Sequence, residues 1–318
     1  MLSSNPPFET IVRPYGKAAI AEAARLIRAG YPVAVPTETV YGLAADATNG
    51  EAVARIYEAK ERPSFNPLIV HVLDLAAAEE IGVFDDVSRR LAQRYWPGPL
   101  TIVVPLRRGN SVASIVTAGL DTIAIRSPAH PAIRDLLKAT ALPLAAPSAN
   151  RSGRLSPTNA AHVLASLDGE IPFVIDGGGT DHGVESTIVR VQAAKLVLLR
   201  HGPVLTSAIA LANSPEIIAP GQLAGHYAPE KPLRINAMRP AVDEWMIGFG
   251  SIPGHETLSA SGNLIEAAAR LFVALHNADI SDLPKIAVAA IPSMDLGLAI
   301  NDRLARAALD TKTLAVTA

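Results

Sequence analysis

Two hydrophobic patterns alternate along this chain. Short apolar runs are typical of buried strands, and stretches with apolar residues every three or four positions are typical of helices that cover a sheet. In the first two-thirds of the chain these patterns predict helices over 17–29, 50–59, 86–95, 131–139 and 157–166, and strands over 33–35, 68–73, 101–104, 122–125, 142–146, 173–175, 186–191 and 196–199. Gly30 is expected to stop the first helix, and Ser156 followed by Pro157 is typical of a helix start with Ser156 as the N-cap. The alternation predicts an α/β fold.

The composition changes after Arg200. The segment 206–232 contains Pro215, Pro220, Pro229 and Pro232, which is typical of a stiffened linker. Beyond it, the pattern predicts a second, smaller α/β unit with strands over 233–236, 246–249 and 286–291 and helices over 263–277 and 296–309. Since 318 residues exceed the roughly 250–300 at which one hydrophobic core stops growing, we expect two domains, 1–205 and 233–318, joined by the linker 206–232.

Composition and charge narrow the class of protein. Hydrophobic residues make up 49% of the chain and aromatic residues 4%, so we expect an aliphatic core of the kind found in sheets covered by helices. The absence of cysteine excludes a disulfide scaffold, a thiolate zinc site and a cysteine nucleophile. No apolar run approaches the ~20 residues of a membrane helix and no signal peptide is visible, so we expect a cytoplasmic protein. The net charge of −2 argues against a surface that coats nucleic acid, and RNA would be bound only locally or weakly.

Two polar segments are candidates for binding an anion. Lys60–Pro67 places two cations, Lys60 and Arg62, in a proline-stiffened loop between a predicted helix and a predicted strand, where they could hold phosphate. Ala146–Gly153 offers hydroxyl, amide and backbone donors directly after a strand, at the end of the sheet where α/β proteins bind ligands. A solvated helix end and an ordinary polar turn are the alternatives for these two segments.

A third segment, Pro36–Leu43, interrupts an apolar strand with polar side chains. Such an interruption indicates a functional site or, alternatively, a strand end with a local turn. The eight histidines show no spacing typical of a zinc site, and His71 within an apolar strand would normally be a core histidine.

Six segments, in this order, resemble the YrdC/Sua5 family. They are Pro36–Leu43 (PTETVYGL), Lys60–His71 (KERPSFNPLIVH), Trp96–Thr101 (WPGPLT), Gly119–Pro128 (GLDTIAIRSP), Pro147–Gly153 (PSANRSG) and Gly183–Val189 (GVESTIV). The segment His226–Pro229 and the chain after it resemble the longer, Sua5-type members. The resemblance implies a YrdC-like twisted mixed sheet with flanking helices, followed by a smaller Rossmann-like α/β Sua5 domain. Two departures fall near the linker: His201 stands where the family commonly has proline, and Gln222 where it often has methionine.

The resemblance also implies an activity, that of threonylcarbamoyl-AMP synthases. These nucleotidyltransferases convert L-threonine, bicarbonate or CO2 and ATP into threonylcarbamoyl-AMP and pyrophosphate. The product would serve the t6A37 modification of tRNAs that read ANN codons, through a downstream threonylcarbamoyl-transfer complex. ATP is then a substrate that carries Mg²⁺, and no metal ligand is expected from the protein.

Matching the family's motifs to this sequence implies a set of site residues. The catalytic tetrad falls on Lys60, Arg62, Ser148 and Asn150. The ATP contacts fall on Arg62, Asn66, Thr122, Ser148, Ser156, Arg200 and Tyr227. The threonine contacts fall on Thr39, His71, Arg126, Ser186 and the backbone at Ala146.

The implied reaction accounts for these residue types. A threonine carbamate is already an anion, so its attack on the α-phosphorus of ATP requires neutralised charge rather than a base. Recognition of the substrate hydroxyl by Thr39, His71 or Ser186 predicts that valine is rejected. The linker with Tyr227 is either a lid over the site or an inert spacer. Two other functions are a double-stranded RNA or tRNA-binding module and a carbamoyltransferase of the hydrogenase-maturation kind, which also needs cysteine-rich modules absent from this chain.

Overall fold

The computed structural model describes residues 7–192, 195–204, 218–221 and 225–309. The strands are β1 Ile11–Pro14, β2 Val33–Pro36, β3 Tyr41–Asp46, β4 Ile69–His71, β5 Leu100–Pro105, β6 Thr122–Arg126, β7 Leu144–Ala145, β8 Phe173–Asp176, β9 Thr187–Gln192, β10 Lys195–Arg200, β11 Leu233–Ala237, β12 Glu244–Gly248, β13 Glu256–Thr257 and β14 Lys285–Ala289. The helices are α1 Lys17–Arg28, α2 Gly50–Lys60, α3 Leu75–Glu79, α4 Asp86–Tyr95, α5 Pro131–Thr140, α6 Ala160–Leu167, α7 Leu264–Asp279 and α8 Leu296–Ala307, with a 3-10 turn at Ser114–Thr117. The predicted boundary at 205 and the linker residues Pro215 and Gln222 lie outside the described residues, so the domain limits stay a prediction.

Ten strands form one mixed sheet in the order β1-β8-β2-β3-β7-β4-β6-β5-β9-β10. Neighbouring side chains of β2 point to opposite faces, as the strand period requires: Ala34 packs into the core that contains α2, whereas Val33 and Val35 pack into the core that contains α1 and α5. Helices therefore cover both faces of the sheet. The expected mixed α/β architecture is confirmed.

Four strands form a second sheet in the order β11-β14-β12-β13, and all three pairings are parallel. Helices α7 and α8 supply most of the apolar side chains that pack against it. This second α/β sheet is also as expected. Its apolar core does not stop at the C-terminal part, because Leu155, Val184 and Tyr227 belong to the same cluster. The C-terminal unit therefore packs against connecting segments outside it through these residues.

The prediction that Ser156 caps a helix over 157–166 is wrong. Helix α6 begins at Ala160, and the Asn159 side chain is the N-cap, accepting a hydrogen bond from the backbone N–H of His162 at 2.9 Å. The Ser156 hydroxyl is instead committed to the carboxylate of Glu185. The residues after it are held outside the helix, since the Pro157 carbonyl accepts from Tyr41 N at 2.8 Å. Tertiary hydrogen bonds have outweighed the local signal for a helix start.

The segment Pro36–Leu43 is not one interrupted strand. It is a tight connection between β2 and β3, which pair in antiparallel fashion from Pro36–Tyr41 onwards. The Thr37 hydroxyl closes the connection by donating to the Val40 carbonyl at 2.7 Å and accepting from the Thr39 amide at 3.2 Å. Of the two alternatives, the strand end with a local turn describes the backbone.

Four strands and helices have no counterpart among the predictions: β1, β3, α3 and β13. All four residues of β1 are exposed, so no apolar pattern marks it, and it is held by parallel pairing with β8. Within the described residues, no helix is long and apolar enough to cross a membrane.

Candidate active site

A small cavity of about 50 Å³ opens where the parallel strands β4 and β6 end. His71 and Arg126 are paired in register at those two strand ends, which is the edge of a sheet where α/β proteins place ligands. The cavity is lined by Thr37, Thr39, Val40, Gly42, Arg62, Ile69, His71, Arg126, Ala146, Pro147, Ser148, Glu185, Ser186, Arg200, Pro220, Gly221, His226 and Tyr227. Residues from all three candidate segments therefore meet in space.

Arg126 is anchored by three different partners. Its Nε donates to the Gly98 carbonyl at 3.1 Å, its Nη1 to the Thr39 hydroxyl at 2.9 Å, and its Nη2 to the Glu38 carboxylate at 2.6 Å. Two of its five N–H groups are left for a ligand. The other Glu38 oxygen accepts from Ala129 N at 3.1 Å. Arg126 and Glu38 form a buried ion pair, which fixes the guanidinium before any substrate arrives.

Ser186 and His71 present the other polar atoms on this side of the cavity. The Ser186 hydroxyl lies 2.7 Å from that of Thr101 and accepts from Arg200 Nη2 at 3.0 Å. Gly202 passes so close that a Cβ there would lie 2.3 Å from Thr187 N, which brings the end of β10 against the start of β9. His71 Nδ1 is buried without a hydrogen-bond partner among the described residues. Since buried polar atoms are normally paired, this nitrogen is available to a ligand.

Lys60 and Asn150 lie beside the cavity rather than on its wall. Lys60 is buried at the end of α2, and its ammonium donates to the Ser148 carbonyl at 2.6 Å and to the Asn150 carbonyl. Asn150 Nδ2 donates to the Arg154 carbonyl at 2.8 Å, while its Oδ1 is buried without a partner. The lysine thus shapes the turn that presents Ser148 to the cavity. The four tetrad residues are brought together, but only Arg62 and Ser148 face the open space.

Arg62 and Asn66 form the loop side of the site. Arg62 Nε donates to the Asn66 carbonyl at 3.0 Å, and its Nη2 donates to the Pro67 carbonyl at 2.8 Å. Both polar atoms of the Asn66 side chain are buried and unpaired in the described part of the chain. A buried amide with no partner indicates a site that is completed by something else.

The cavity region concentrates positive charge away from water. The buried cations are Lys60, Arg62, Arg126, Arg200 and Arg303, and the buried carboxylates near them are Glu38 and Glu185. Burial lowers the pKa of Lys60 well below its usual range, and Arg62 lowers it further. Burial likewise lowers the pKa of Arg62 to about 10. A bound polyanion would relieve both costs, so this surface favours anions.

The two histidines of the cavity are held neutral. Burial, followed by the charge of Arg126, lowers the pKa of His71 to about 3. Burial lowers the pKa of His226 to about 3 as well, against a small opposing effect of Glu185. Each ring therefore has one donor and one acceptor nitrogen at neutral pH and adds no charge.

Two of the implied ATP contacts lie away from the cavity wall. Thr122 begins β6, at the opposite end of that strand from Arg126. Ser156 is fully buried and reaches the site only through its hydrogen bond to Glu185, which does line the cavity. Tyr227 and Arg200 line it directly.

Four residues of this region were not predicted from the sequence: Glu38, Glu185, His226 and Arg303. The first two lie inside the quoted motifs PTETVYGL and GVESTIV, and His226 begins HYAP, so their position in the motifs was a usable signal. Arg303 lies in α8 among ordinary helix residues, and nothing in the local sequence marks it.

No cluster of three or more potential metal ligands occurs among the described residues. The two carboxylates nearest the cavity are already bound, Glu38 by Arg126 and Glu185 by Arg303 and Ser156. These side chains do not fit a resident Mg²⁺, and a metal ion would have to arrive with its substrate.

Comparisons with known proteins identify the family. A family model described as Telomere recombination matches residues 25–202, and one described as Threonylcarbamoyl-AMP synthase, C-terminal domain, matches residues 189–309. The chain is 40% identical to the threonylcarbamoyl-AMP synthase of Bacillus subtilis over 91% of its own length and 92% of that protein. It is 37% identical to the enzyme of the same name from Pyrococcus abyssi, over 90% and 92% of the two chains. The crystal structure of P. abyssi Sua5 complexed with L-threonine matches with a TM-score of 0.85 and 35% identity, covering 95% of this chain and 97% of that one.

Proposed function

We propose that this chain, which belongs to the threonylcarbamoyl-AMP synthase family, makes threonylcarbamoyl-AMP in the cavity lined by Arg62 and Arg126. The match extends over nearly the whole chain and bears out the resemblance of the six motifs. The chain is accordingly an enzyme of the nucleotidyltransferase type.

The reaction has two bond-forming steps. The neutral amine of L-threonine adds to the carbon of CO2, taken up as such or formed from bicarbonate, and loses a proton to give a carbamate. A carbamate oxygen then attacks the α-phosphorus of ATP; the new O–P bond forms as the bond to pyrophosphate breaks. Both partners of the second step are anions, so the main need is neutralisation of charge in a site that excludes water.

The excess of buried cations over carboxylates is the observation that carries this proposal. Arg62 on one side and Arg200 on the other would hold the polyphosphate, with Ser148 and Asn150 positioned by the Lys60 ammonium. The described residues of the lining contain no acid–base pair: Glu185 is ion-paired with Arg303, and burial lowers the pKa of His71 and of His226 to about 3, which makes both rings poor bases at neutral pH.

L-threonine is proposed to occupy the end of the cavity near Arg126. The two free N–H groups of Arg126 suit the threonine carboxylate, since a guanidinium fork matches a carboxylate. The unpaired His71 Nδ1 and the hydroxyl of Ser186 can hydrogen-bond the substrate hydroxyl, and the backbone at Ala146 lines the same space. The threonine complex of the P. abyssi structure supports threonine as the amino acid.

Mg²⁺ is proposed to enter as part of the ATP complex, since the described residues offer it no ligand cluster. It would supply charge to the leaving pyrophosphate. The product would pass to a threonylcarbamoyl-transfer complex that acts on tRNA. Direct RNA binding would appear as gel shifts that weaken steeply with salt.

The linker is proposed to act as a lid. A volume of about 50 Å³ admits only a few water molecules, and four linker residues, Pro220, Gly221, His226 and Tyr227, are part of its wall. These four wall residues would have to move for ATP and threonine to enter, and their return would exclude water from a labile adenylate. Tyr227→Ala should shorten the lifetime of bound threonylcarbamoyl-AMP in a single-turnover assay; an unchanged lifetime would favour the inert spacer.

The experiment that tests the function measures pyrophosphate. The protein is incubated with ATP and Mg²⁺, with threonine and bicarbonate each present or omitted. Release that requires both supports the proposal, and ATP hydrolysis indifferent to either contradicts it. The adenylate itself can be identified by mass spectrometry.

A further inference from the structure

We propose that the C-terminal unit supplies a positioning residue to the active site: Arg303 of α8 holds Glu185, acts through Glu185 on Ser156, and lies directly over the Tyr227 ring. This inference rests on the proposed function and gives the C-terminal unit a defined role in it. It concerns the nucleotide side of the cavity rather than the threonine side.

Arg303 is completely buried and leaves its own unit to make its contacts. Its Nε donates to Glu185 Oε2 at 3.0 Å, and its Nη1 donates to the His201 carbonyl at 2.6 Å. Its guanidinium carbon lies 5.4 Å from the centre of the Tyr227 ring. Only the contact to Asp302, at 3.1 Å, stays within α8. A long cation that reaches three separate points of another region is placed to fix their relative positions.

Glu185 passes this constraint on to the cavity. Its carboxylate lines the cavity, and its other oxygen accepts a hydrogen bond from the Ser156 hydroxyl. Burial alone would raise the pKa of Glu185, but the charges of Arg303 and then Arg200 outweigh burial and lower it. The carboxylate therefore stays ionised and can only accept hydrogen bonds, which fixes the direction of the Ser156 O–H.

Arg303 also neutralises the negative charge that Glu185 brings to the cavity wall. An unpaired carboxylate on the wall would repel a polyphosphate at close range. Arg303 neutralises it from behind, so that the carboxylate can orient Ser156 without making the cavity less attractive to anions.

The C-terminal unit contacts the segment that carries Glu185 at two further points. Gly183 has a φ of 67° and lies against α7 so closely that a Cβ would be 2.4 Å from the Ala268 carbonyl. Val184 belongs to the apolar core of the small sheet. The backbone that carries Glu185 and Ser186 is thus held between the two units.

Tyr227 is held in a similar way. Its backbone has a φ of 63°, an uncommon conformation for a bulky residue that persists only where the surroundings impose it. Arg303 lies over its ring, and the Phe272 ring of α7 is 5.9 Å away. The C-terminal unit therefore sets the position of the linker residue on the cavity wall.

The test compares Arg303→Gln, Arg303→Lys and Glu185→Gln in the full chain, with Arg270→Gln as the matched control. Arg270 belongs to the same unit but forms only half-exposed ion pairs with Glu256 and Glu266. Five quantities are measured: kcat and KM for ATP by pyrophosphate release, the Kd of ATP and of L-threonine by calorimetry, and the thermal unfolding midpoint.

We expect Arg303→Gln to lower kcat/KM for ATP by about 100-fold, the loss typical of a misplaced contact group, and to change the threonine Kd less than about twofold. Arg303→Lys keeps the charge but not the planar guanidinium, so kcat/KM for ATP should fall about tenfold. This variant can still be measured if Arg303→Gln does not fold. Adding Glu185→Gln to Arg303→Gln should cost less than the product of the two single losses. Arg270→Gln should match the wild type.

Two results would overturn the inference: unchanged ATP parameters in folded Arg303 variants, or equal weakening of ATP and threonine, which a loosened fold would cause. Failure of the proposed function is distinguishable, because it would appear as wild-type protein that releases no threonine-dependent pyrophosphate. The ATP and threonine Kd values would still report on Arg303 in that case.

Discussion

The two sheets of this protein bury polar groups in opposite ways. The large mixed sheet gathers buried cations, hydroxyls and amides at the ends of β4 and β6, and several of their polar atoms have no partner in the described part of the chain. The small parallel sheet has a mostly apolar core, in which Trp245 Nε1 and Arg303 Nη2 are the unpaired buried polar atoms among the described residues, and Arg303 donates to Glu185 and His201 outside its own unit. A buried polar atom without a hydrogen-bond partner lowers stability, so a concentration of such atoms at one place indicates a binding site. The small sheet instead stabilises the position of that site.

The largest expected effect is on substrate selectivity, which depends on the polar groups of the large sheet. If His71 or Ser186 hydrogen-bonds the substrate hydroxyl, valine should be used about 10⁴-fold less efficiently than threonine, because a buried polar atom would be left unpaired. Serine lacks only a methyl group and should lose roughly 1–3 kcal/mol of transition-state binding. Competition assays of pyrophosphate release measure both ratios. Comparable turnover of valine would remove the proposed hydroxyl contact.

Truncation of a buried side chain in the small sheet should lower stability and leave the activity unchanged. Met246 is completely buried in β12, so Met246→Ala should lower the free energy of unfolding by about 2–5 kcal/mol. At a temperature where the variant is folded, kcat/KM should stay close to the wild-type value. Denaturant unfolding and pyrophosphate release test the two halves of this statement. A large loss of activity in folded Met246→Ala would mean that the small sheet contributes to activity by more than the contacts of Arg303.

Substitution of the buried cations near the cavity should lower the activity and leave the fold intact. Lys60→Ala and Arg62→Ala should each lower kcat/KM by about 10²–10³, because Arg62 is a donor to developing charge and Lys60 holds the turn that presents Ser148. The exposed Lys17 at the start of α1 gives a matched control, and Lys17→Ala should be neutral. Circular dichroism checks that the fold is retained. Activity preserved in Lys60→Ala would separate this lysine from the reaction.

The two cavity histidines should contribute to acid sensitivity. His71 and His226 have pKa values of about 3 in the folded protein and near 6.5 when unfolded, so the unfolded chain takes up protons first as the pH falls. Stability is present above pH 6.5 and is lost towards pH 3, by about 2 kcal/mol per histidine between pH 7 and pH 5. Urea unfolding at the two pH values measures this. In His71→Gln the loss should be smaller by that amount, and an identical loss would contradict the assignment.

The sequence was sufficient for the class of fold and for most of the elements. Apolar periodicity placed α1, α2, α4 and α5 within a residue or two of their observed limits, because those helices have one continuous buried face. The exposed β1 and the two-residue β13 carry no such pattern and depend on pairing with distant strands. For Ser156 the local signal was present but tertiary bonds to Glu185 decided the outcome.

Ordered motifs determined the family and named most residues that meet in the cavity, since a site built from strand ends keeps its residue types in fixed sequence positions. Their roles depended on the tertiary structure. Lys60 turned out to hold the turn of Ser148, Arg126 to be ion-paired with Glu38, and Glu185 to be held by Arg303 from more than a hundred residues away. Charge compensation between distant segments leaves no local trace in a sequence, because it arises only when folding removes both groups from water.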